Sequence, residues 1–188
     1  ARFLISSLGY GDRVATLTTI STPHLGSRVA DTALGILPGA AEEVLGFFVD
    51  LLVGGVVGSE QDVIGQLYQL TEEFAVGSFN PANPDDPRVA YYSVAGVTQT
   101  NPFTNPFTRG LCDPLLLIGY LVLRPTGAND GLVTVESARH GVFLGTVPAD
   151  HLDEVGQLFG STALGFSHRG FYRNLARFLT DPGAPAPI

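Results

Sequence analysis

At 188 residues with 45% apolar side chains, the chain is long enough to bury one domain-sized core and too apolar for disorder. Ten arginines and no lysine stand against eighteen acids, a net charge of −8, which disfavours a nucleic-acid partner because affinity for phosphate backbones is largely cationic neutralisation. The single cysteine, Cys112, excludes a disulfide framework and a multi-cysteine zinc site. The longest apolar run, Val44 to Val57, is broken by Gly46, Asp50, Gly54 and Gly55 and falls short of the roughly 20 residues that span a bilayer, so no transmembrane segment is expected.

In chain order, Ala1 to Leu8 places Phe3, Leu4 and Leu8 at helical spacing and stops at Gly9, a favourable C-cap residue. A helix end is present without a helix start, and no methionine occurs anywhere. The expectation is a piece of a longer gene product. Arg13 to Thr22 is β-branched and bounded by turn residues, which predicts a buried parallel strand. From Val29 to Val53 only Glu43, Gly46 and Asp50 form a polar stripe, too little for an ordinary surface helix. Ser59 with Asp62 resembles a capping arrangement ahead of Val63, Ile64, Leu67, Leu70 and Phe74 at helical spacing. A Pro/Asn/Asp loop at 80–87 precedes a second strand, Val89 to Ala95, and Asn101 to Arg109 repeats N-P-F-T as a turn-rich loop. Leu115 to Leu123 is apolar on every side and is expected in the core. Leu132 to Val135 reads as a strand. Arg169 to Leu179 reads as a closing helix with Phe171, Leu175, Phe178 and Leu179 inward and Arg169, Arg173 and Arg177 outward. The Pro/Ala/Gly tail 181–188 is expected to be flexible.

The chemistry lies in Asn129-Asp130-Gly131-Leu132-Val133 and in Asp150-His151-Leu152-Asp153-Glu154. An acid on a tight turn followed by a histidine on a later loop is the order in which an α/β-hydrolase supplies the last two members of a Ser-acid-His triad. The imidazole accepts the serine proton, and a fixed carboxylate holds its tautomer. No serine stands in a G-x-S-x-G elbow; Ser167 comes closest, with Gly165 two before it but Arg169 two after. The expected architecture is therefore α/β, the C-terminal half of an α/β-hydrolase fold, with a mostly parallel sheet flanked by helices. On spacing alone, Asp130 as a turn former and His151 as a surface histidine fit equally well. His24, His140 and His168 are rivals; the last two lie beside arginines.

A closer match rests on Thr19-Ile20-Ser21-Thr22-Pro23-His24-Leu25-Gly26-Ser27, which resembles the T-I-G-T-P-H-R-G-S segment of secreted, calcium-dependent bacterial triacylglycerol lipases. The N-D-G-L-V and D-H-L-D-E-V-G-Q-L-F-G segments resemble that family's acid and histidine loops. The resemblance covers nearly the whole chain. It implies Asp130 as triad acid, His151 as base, and a structural Ca²⁺ held by Asp113, Asp153 and the main-chain carbonyls of Gln157 and Ser161. Two carboxylates with carbonyl oxygens suit a hard cation; the alternative makes Asp153 a helix N-cap over 154–159 and Asp113 a turn residue. The stretch from Asp113 to Asp130 is shorter than in the family pattern, and the family's disulfide has no counterpart, since Glu136 stands near the second cysteine's place.

The resemblance further implies a helical lid at Val29 to Val57, within an insertion spanning 29–79, against the alternative of a packed helical hairpin. It implies a secreted carboxylic ester hydrolase, a triacylglycerol lipase acting on lipid or ester at an oil–water interface. The missing N-terminal half of the domain would supply serine and oxyanion hole, so the chain alone is expected to be inactive. A noncatalytic lipid-surface or interaction module derived from a hydrolase is the competing reading.

Overall fold

The computed structural model describes residues 1–35, 63–101, 103, 110–157, 160, 162–181 and 183–188. Its centre is a three-stranded parallel sheet in the order β1-β2-β5. Strand β1 (Thr16–Ile20) pairs with β2 (Ala90–Gly96) from Thr16↔Ala90 to Ile20↔Val94, and β2 pairs with β5 (Val142–Val147) from Tyr92↔Val142 to Gly96↔Val147. Successive side chains of β2 enter different layers, as the two-residue period of a strand dictates. Val94 joins a core with Val147, Phe171 and Leu175, whereas Ala95 joins one with Val29, Leu67, Leu116 and Leu123. A strand covered on both faces is the environment in which a parallel sheet is stable, and it explains the β-branched and apolar run that marks β2 in the sequence.

Helix α1 (Arg2–Ser6) buries Arg2 and Ile5 and leaves Phe3, Leu4 and Leu8 exposed, so the helical apolar face seen in the sequence points outward. Helix α2 (Arg28–Ala33) starts at Ser27, whose hydroxyl accepts Val29 N–H at 3.2 Å and donates to Leu132 O at 2.6 Å. That cap joins α2 to the segment carrying Asp130. The helix expected through Phe74 is divided. Helix α3 (Val63–Gln69) ends before Thr71, whose hydroxyl accepts Phe74 N–H and opens α4 (Glu72–Phe74), continued by a π-helical turn Ala75–Phe79 and by α5 (Asn80–Ala82). The described ends of the 29–79 segment are core, with Val29, Ala30, Ala33 and Leu67 among the buried residues. Its centre, 36–62, lies outside the described residues, and so do most of the N-P-F-T repeats.

After a two-stranded parallel pair, β3 (Thr98–Gln99) with β4 (Gly110–Leu111), a 3-10 turn Pro114–Leu116 leads into α6 (Leu117–Leu123). The expectation that Leu115 to Leu123 is core throughout is corrected. Leu116, Gly119, Tyr120 and Leu123 face inward, while Leu115, Leu117, Ile118 and Leu121 are exposed, because a helix at the surface buries only one stripe. The strand expected at Leu132 to Val135 is also absent. A single antiparallel bridge, Asn129↔Thr134, closes a loop, and α7 (Val135–Ala138) begins at once behind the Thr134 cap. The physical reason is that the Asp130 carboxylate takes the Leu132 and Val133 N–H groups that a ladder would need. Strand β5 went unassigned in the sequence; Gly145 at φ +131° lies at its register shift and interrupts the apolar run. Helix α8 (His168–Thr180) closes the fold with Phe171 and Leu175 buried and its three arginines exposed. Ile188 of the tail returns to lie against Gly145.

Candidate active site

The acid loop follows α6 and the 3-10 turn Arg124–Thr126 and is built from turn chemistry. Asn129 Oδ1 accepts Gly131 N–H at 3.0 Å, and Gly131 takes φ +98°, a conformation that favours glycine. A Cβ there would approach Leu116 Cβ to 2.9 Å, so the glycine also lets the loop rest on α6's leading turn. Asp130, fully buried, accepts Leu132 N–H at 2.8 Å and Val133 N–H at 2.7 Å on Oδ1. Its Oδ2 lies 2.7 Å from His151 Nδ1, and its carbonyl accepts His151 N–H at 3.0 Å. Main chain and side chain thus fix the pair together.

The histidine loop leaves β5 and turns around Asp150, whose Oδ1 accepts the N–H groups of Leu152 at 3.0 Å and Asp153 at 2.9 Å. Asp150 Oδ2 accepts Asp113 N–H at 2.7 Å, which ties this loop to the turn ahead of α6. The His151 side chain keeps 32% of its surface exposed while that of Asp130 keeps none. Burial by itself pushes the imidazole pKa down, but the charge and hydrogen bond of Asp130, with Glu154 and Asp150 behind it, carry it up to about 9. Nδ1–H pointing at a carboxylate leaves Nε2 as the basic nitrogen on deprotonation, the tautomer that proton abstraction requires. Among the described residues no serine hydroxyl bonds this imidazole.

A further carboxyl stands beside the pair. Glu154 is buried, and its ligand oxygen, Asp130's and a ring nitrogen of His151 lie within 4.8 Å of one another. Burial first, then the Asp130 charge, raise its pKa well above the usual carboxylate range, against the opposing pull of His151 and Ser21. This is the set with metal-like spacing among the described residues, yet the direct 2.7 Å Asp130–His151 hydrogen bond fills the space between two of its ligand atoms. Glu154 is hydrogen-bonded to Ser21 instead. Proton chemistry suits these three groups better than a cation does.

Of the four residues expected to hold calcium, Asp113 and Asp153 come to one region. Asp113 Oδ1 accepts Leu115 N–H at 2.8 Å and Asp153 Oδ2 accepts Ala163 N–H at 2.9 Å. Asp153 is not a helix N-cap; it lies inside the 3-10 turn Asp153–Val155, and Asp150 caps the loop. Burial, then the charges of Asp150 and Asp113, push Asp153 up to about 6. Acids crowding one another are the donor set a hard cation relieves. Gln157 donates its N–H to Leu152 O at 3.0 Å, and Ser161 lies outside the described residues.

Ser21, Asp150 and Glu154 join the site only in the folded chain. Neither Asp150 nor Glu136 is placed to stand in for Asp130: both Asp150 oxygens serve main-chain N–H groups and Glu136 is exposed, 3.9 Å from Arg139. His24 is structural. It stacks on His140 at 4.3 Å, its Nε2 meets Thr19 Oγ1 at 3.0 Å, and burial, then His140 and Arg2, push its pKa down to about 3.

The sequence matches no protein-family model. It is 33% identical over 146 residues to triacylglycerol lipase 2 of Saccharomyces cerevisiae, covering 76% of this chain and 37% of that protein. It is 31% identical over 176 residues to a triacylglycerol lipase of Vibrio cholerae, covering 81% and 54%. The chain is a distant homologue of triacylglycerol lipases. It spans about half the length, or less, of these relatives. Among solved structures, the mature Bacillus licheniformis lipase superposes with a TM-score of 0.57 at 24% identity, covering 84% of this chain and 56% of that one. A metagenomic carboxyl esterase superposes at 0.61 and 21%, covering 93% and 50%. The small parallel sheet with flanking helices is thus a fold shared with that lipase and that carboxyl esterase. No described helix is long and apolar enough to cross a membrane.

Proposed function

We propose that the chain carries the acid and the base of a carboxylic ester hydrolase of the triacylglycerol lipase class, with Asp130 as acid and His151 as base. The observation that carries this reading is the 2.7 Å contact between a fully buried carboxylate and a partly exposed imidazole. His151 Nε2 takes the proton of an attacking serine, Asp130 holds the ring in register and stabilises the imidazolium, and the same proton then goes to the leaving alcohol. The serine and the oxyanion-hole donors would come from sequence outside these 188 residues, which by themselves are expected to turn over no ester.

Asp113 and Asp153, with the carbonyls of Gln157 and Ser161, would hold a structural Ca²⁺. The ion would supply charge neutralisation beside the loop that bears His151, and no step of the reaction runs through it. The substrate class and a secreted location rest on lipase homology and on the sequence resemblance respectively. The lid expected at Val29 to Val57 belongs to the same reading; faster hydrolysis of emulsified than of dissolved ester would support it, and equal rates would remove it.

The test is covalent labelling of the protein, expressed with all the sequence its gene encodes around these residues, by a p-nitrophenyl alkylphosphonate. Attack of a serine Oγ on phosphorus forms the P–O bond and releases p-nitrophenolate. The expectation is one label per chain on a serine, slowed at least a hundredfold in His151→Ala. Equal labelling of the two proteins, or label on no serine, contradicts the assignment.

A further inference from the structure

Ser21, directly after β1, is the single non-glycine residue with a left-handed backbone among the described residues, at φ +43°. An L-residue takes that conformation at a cost that glycine does not bear. Glycine is the residue at this place in the T-I-G-T-P-H-R-G-S pattern. A serine kept there must be held by what its side chain does. Its hydroxyl accepts Gly96 N–H at 2.9 Å and donates to Glu154 Oε1, while its own N–H donates to Val94 O at 2.9 Å. Both of its hydroxyl functions are thus used by one strand end and by one acid, across 75 and 133 residues of sequence.

Gly96 makes the arrangement possible. A Cβ there would collide with Glu154 Oε1, come to 2.6 Å of Ala149 O and reach 3.0 Å of Asp130 Cβ. Ser21 and Glu154 are both almost wholly buried, so water does not replace the hydroxyl as a ready partner. Glu154 also stands close enough to His151 and Asp130 to compete for the imidazole. A carboxyl in that position either bonds elsewhere or draws the ring away from Asp130.

We propose that Ser21 is a positioning residue for the Asp130–His151 pair: its hydroxyl pins the Glu154 carboxyl to the end of β2 and leaves Asp130 as the sole carboxylate partner of the imidazole. The proposal rests on the reading of that pair as acid and base. It gives the serine a role that the glycine of the family pattern does not have.

The experiment is NMR of the full chain with ¹⁵N-labelled histidine, following the imidazole N–H protons. An N–H bonded to a buried carboxylate resonates far downfield and exchanges slowly, and the wild type is expected to show one such proton, abolished by Asp130→Asn. In Ser21→Ala and Ser21→Gly this proton exchanges at least tenfold faster; the glycine variant takes φ +43° without strain, so folding is preserved. Glu154→Gln in the Ser21→Gly background removes the competing carboxylate and restores slow exchange. Wild-type exchange in both Ser21 variants, or no restoration in the double variant, overturns the positioning role while leaving the pair intact. Absence of the downfield proton in the wild type overturns the acid–base reading, and this proposal with it.

Discussion

Asp130 accepts three hydrogen bonds on its side chain, two of them from main-chain N–H groups inside its own loop. Asp130→Asn turns one oxygen into a donor facing either an N–H or the imidazole, so it favours the wrong tautomer of His151. In the complete enzyme the expected loss is about 10⁴ in kcat, by analogy with other triad enzymes, with little change in KM. His151 and His24 give opposite pH signatures. His151, raised to about 9, contributes stability that is fully present below its unfolded value near 6.5 and is lost as pH climbs through 9. Its base form grows over the same window, so hydrolysis should rise from neutral pH toward pH 9. His24, depressed to about 3, contributes stability that is present above pH 6.5 and lost as pH falls through 3. Full protonation of His24 should cost on the order of 3 to 5 kcal/mol. Urea titrations across pH should show this acid limb flattened in His24→Gln, while an unchanged limb would assign it to other groups. Asp130 and His151 were legible in the sequence because Asn-Asp-Gly turn chemistry and the Asp-His step are local. Ser21 and Glu154 were not, because their bond spans 133 residues and only the folded sheet brings them together.

Among the elements, α6 and its leading turn hold the acid loop from below. Leu116 is fully buried and lies under Gly131, while Gly119 lets the helix approach the Gly131 carbonyl. Leu116→Ala should therefore cost about 2 to 5 kcal/mol and loosen the Asp130 loop, raising amide exchange at Leu132 and Val133 more than in α8. Uniform exchange across both would mean that α6 supports the fold without supporting the site. The same elements show what hydrophobic pattern conveys. Strand β2 was readable because a strand buried on both faces is a continuous β-branched and apolar run, and β1, which is half-buried along its whole length, because it is β-branched between turn residues. Residues 132–135 carried a similar composition and formed no strand, since side-chain acceptance by Asp130 captured the N–H groups that pairing needs. Helix α6 was apolar all round in sequence yet buries a single stripe, and composition alone does not say which face turns inward.

For the molecule as a whole, a net charge of −8 and the convergence of Asp113, Asp150 and Asp153 make a cation favourable near the histidine loop. Removing a bound ion that is at a hundredfold excess over Kd costs about 2.7 kcal/mol, roughly 5 to 10 °C in Tm for a chain of this size. Chelation should lower Tm by that order, Ca²⁺ should restore it better than Mg²⁺, and Asp153→Ala should abolish the response. A Tm indifferent to chelator after exhaustive dialysis, with no metal by elemental analysis, would reduce the acidic cluster to a set of loop caps. The parallel sheet and its flanking helices were foreseen from the order of motifs, whereas strand β5 was not, because a glycine at a register shift hides its period.

The central claim is that Asp130 and His151 act together on esters. Its most direct measurement is the rate of p-nitrophenyl butyrate hydrolysis by the complete gene product, wild type beside His151→Ala, Asp130→Asn and the double variant. Residues acting as one unit give a double variant no slower than the worse single, with His151→Ala lowering kcat by at least 10⁴. Independent, additive losses, or a wild-type rate in His151→Ala, would contradict the account.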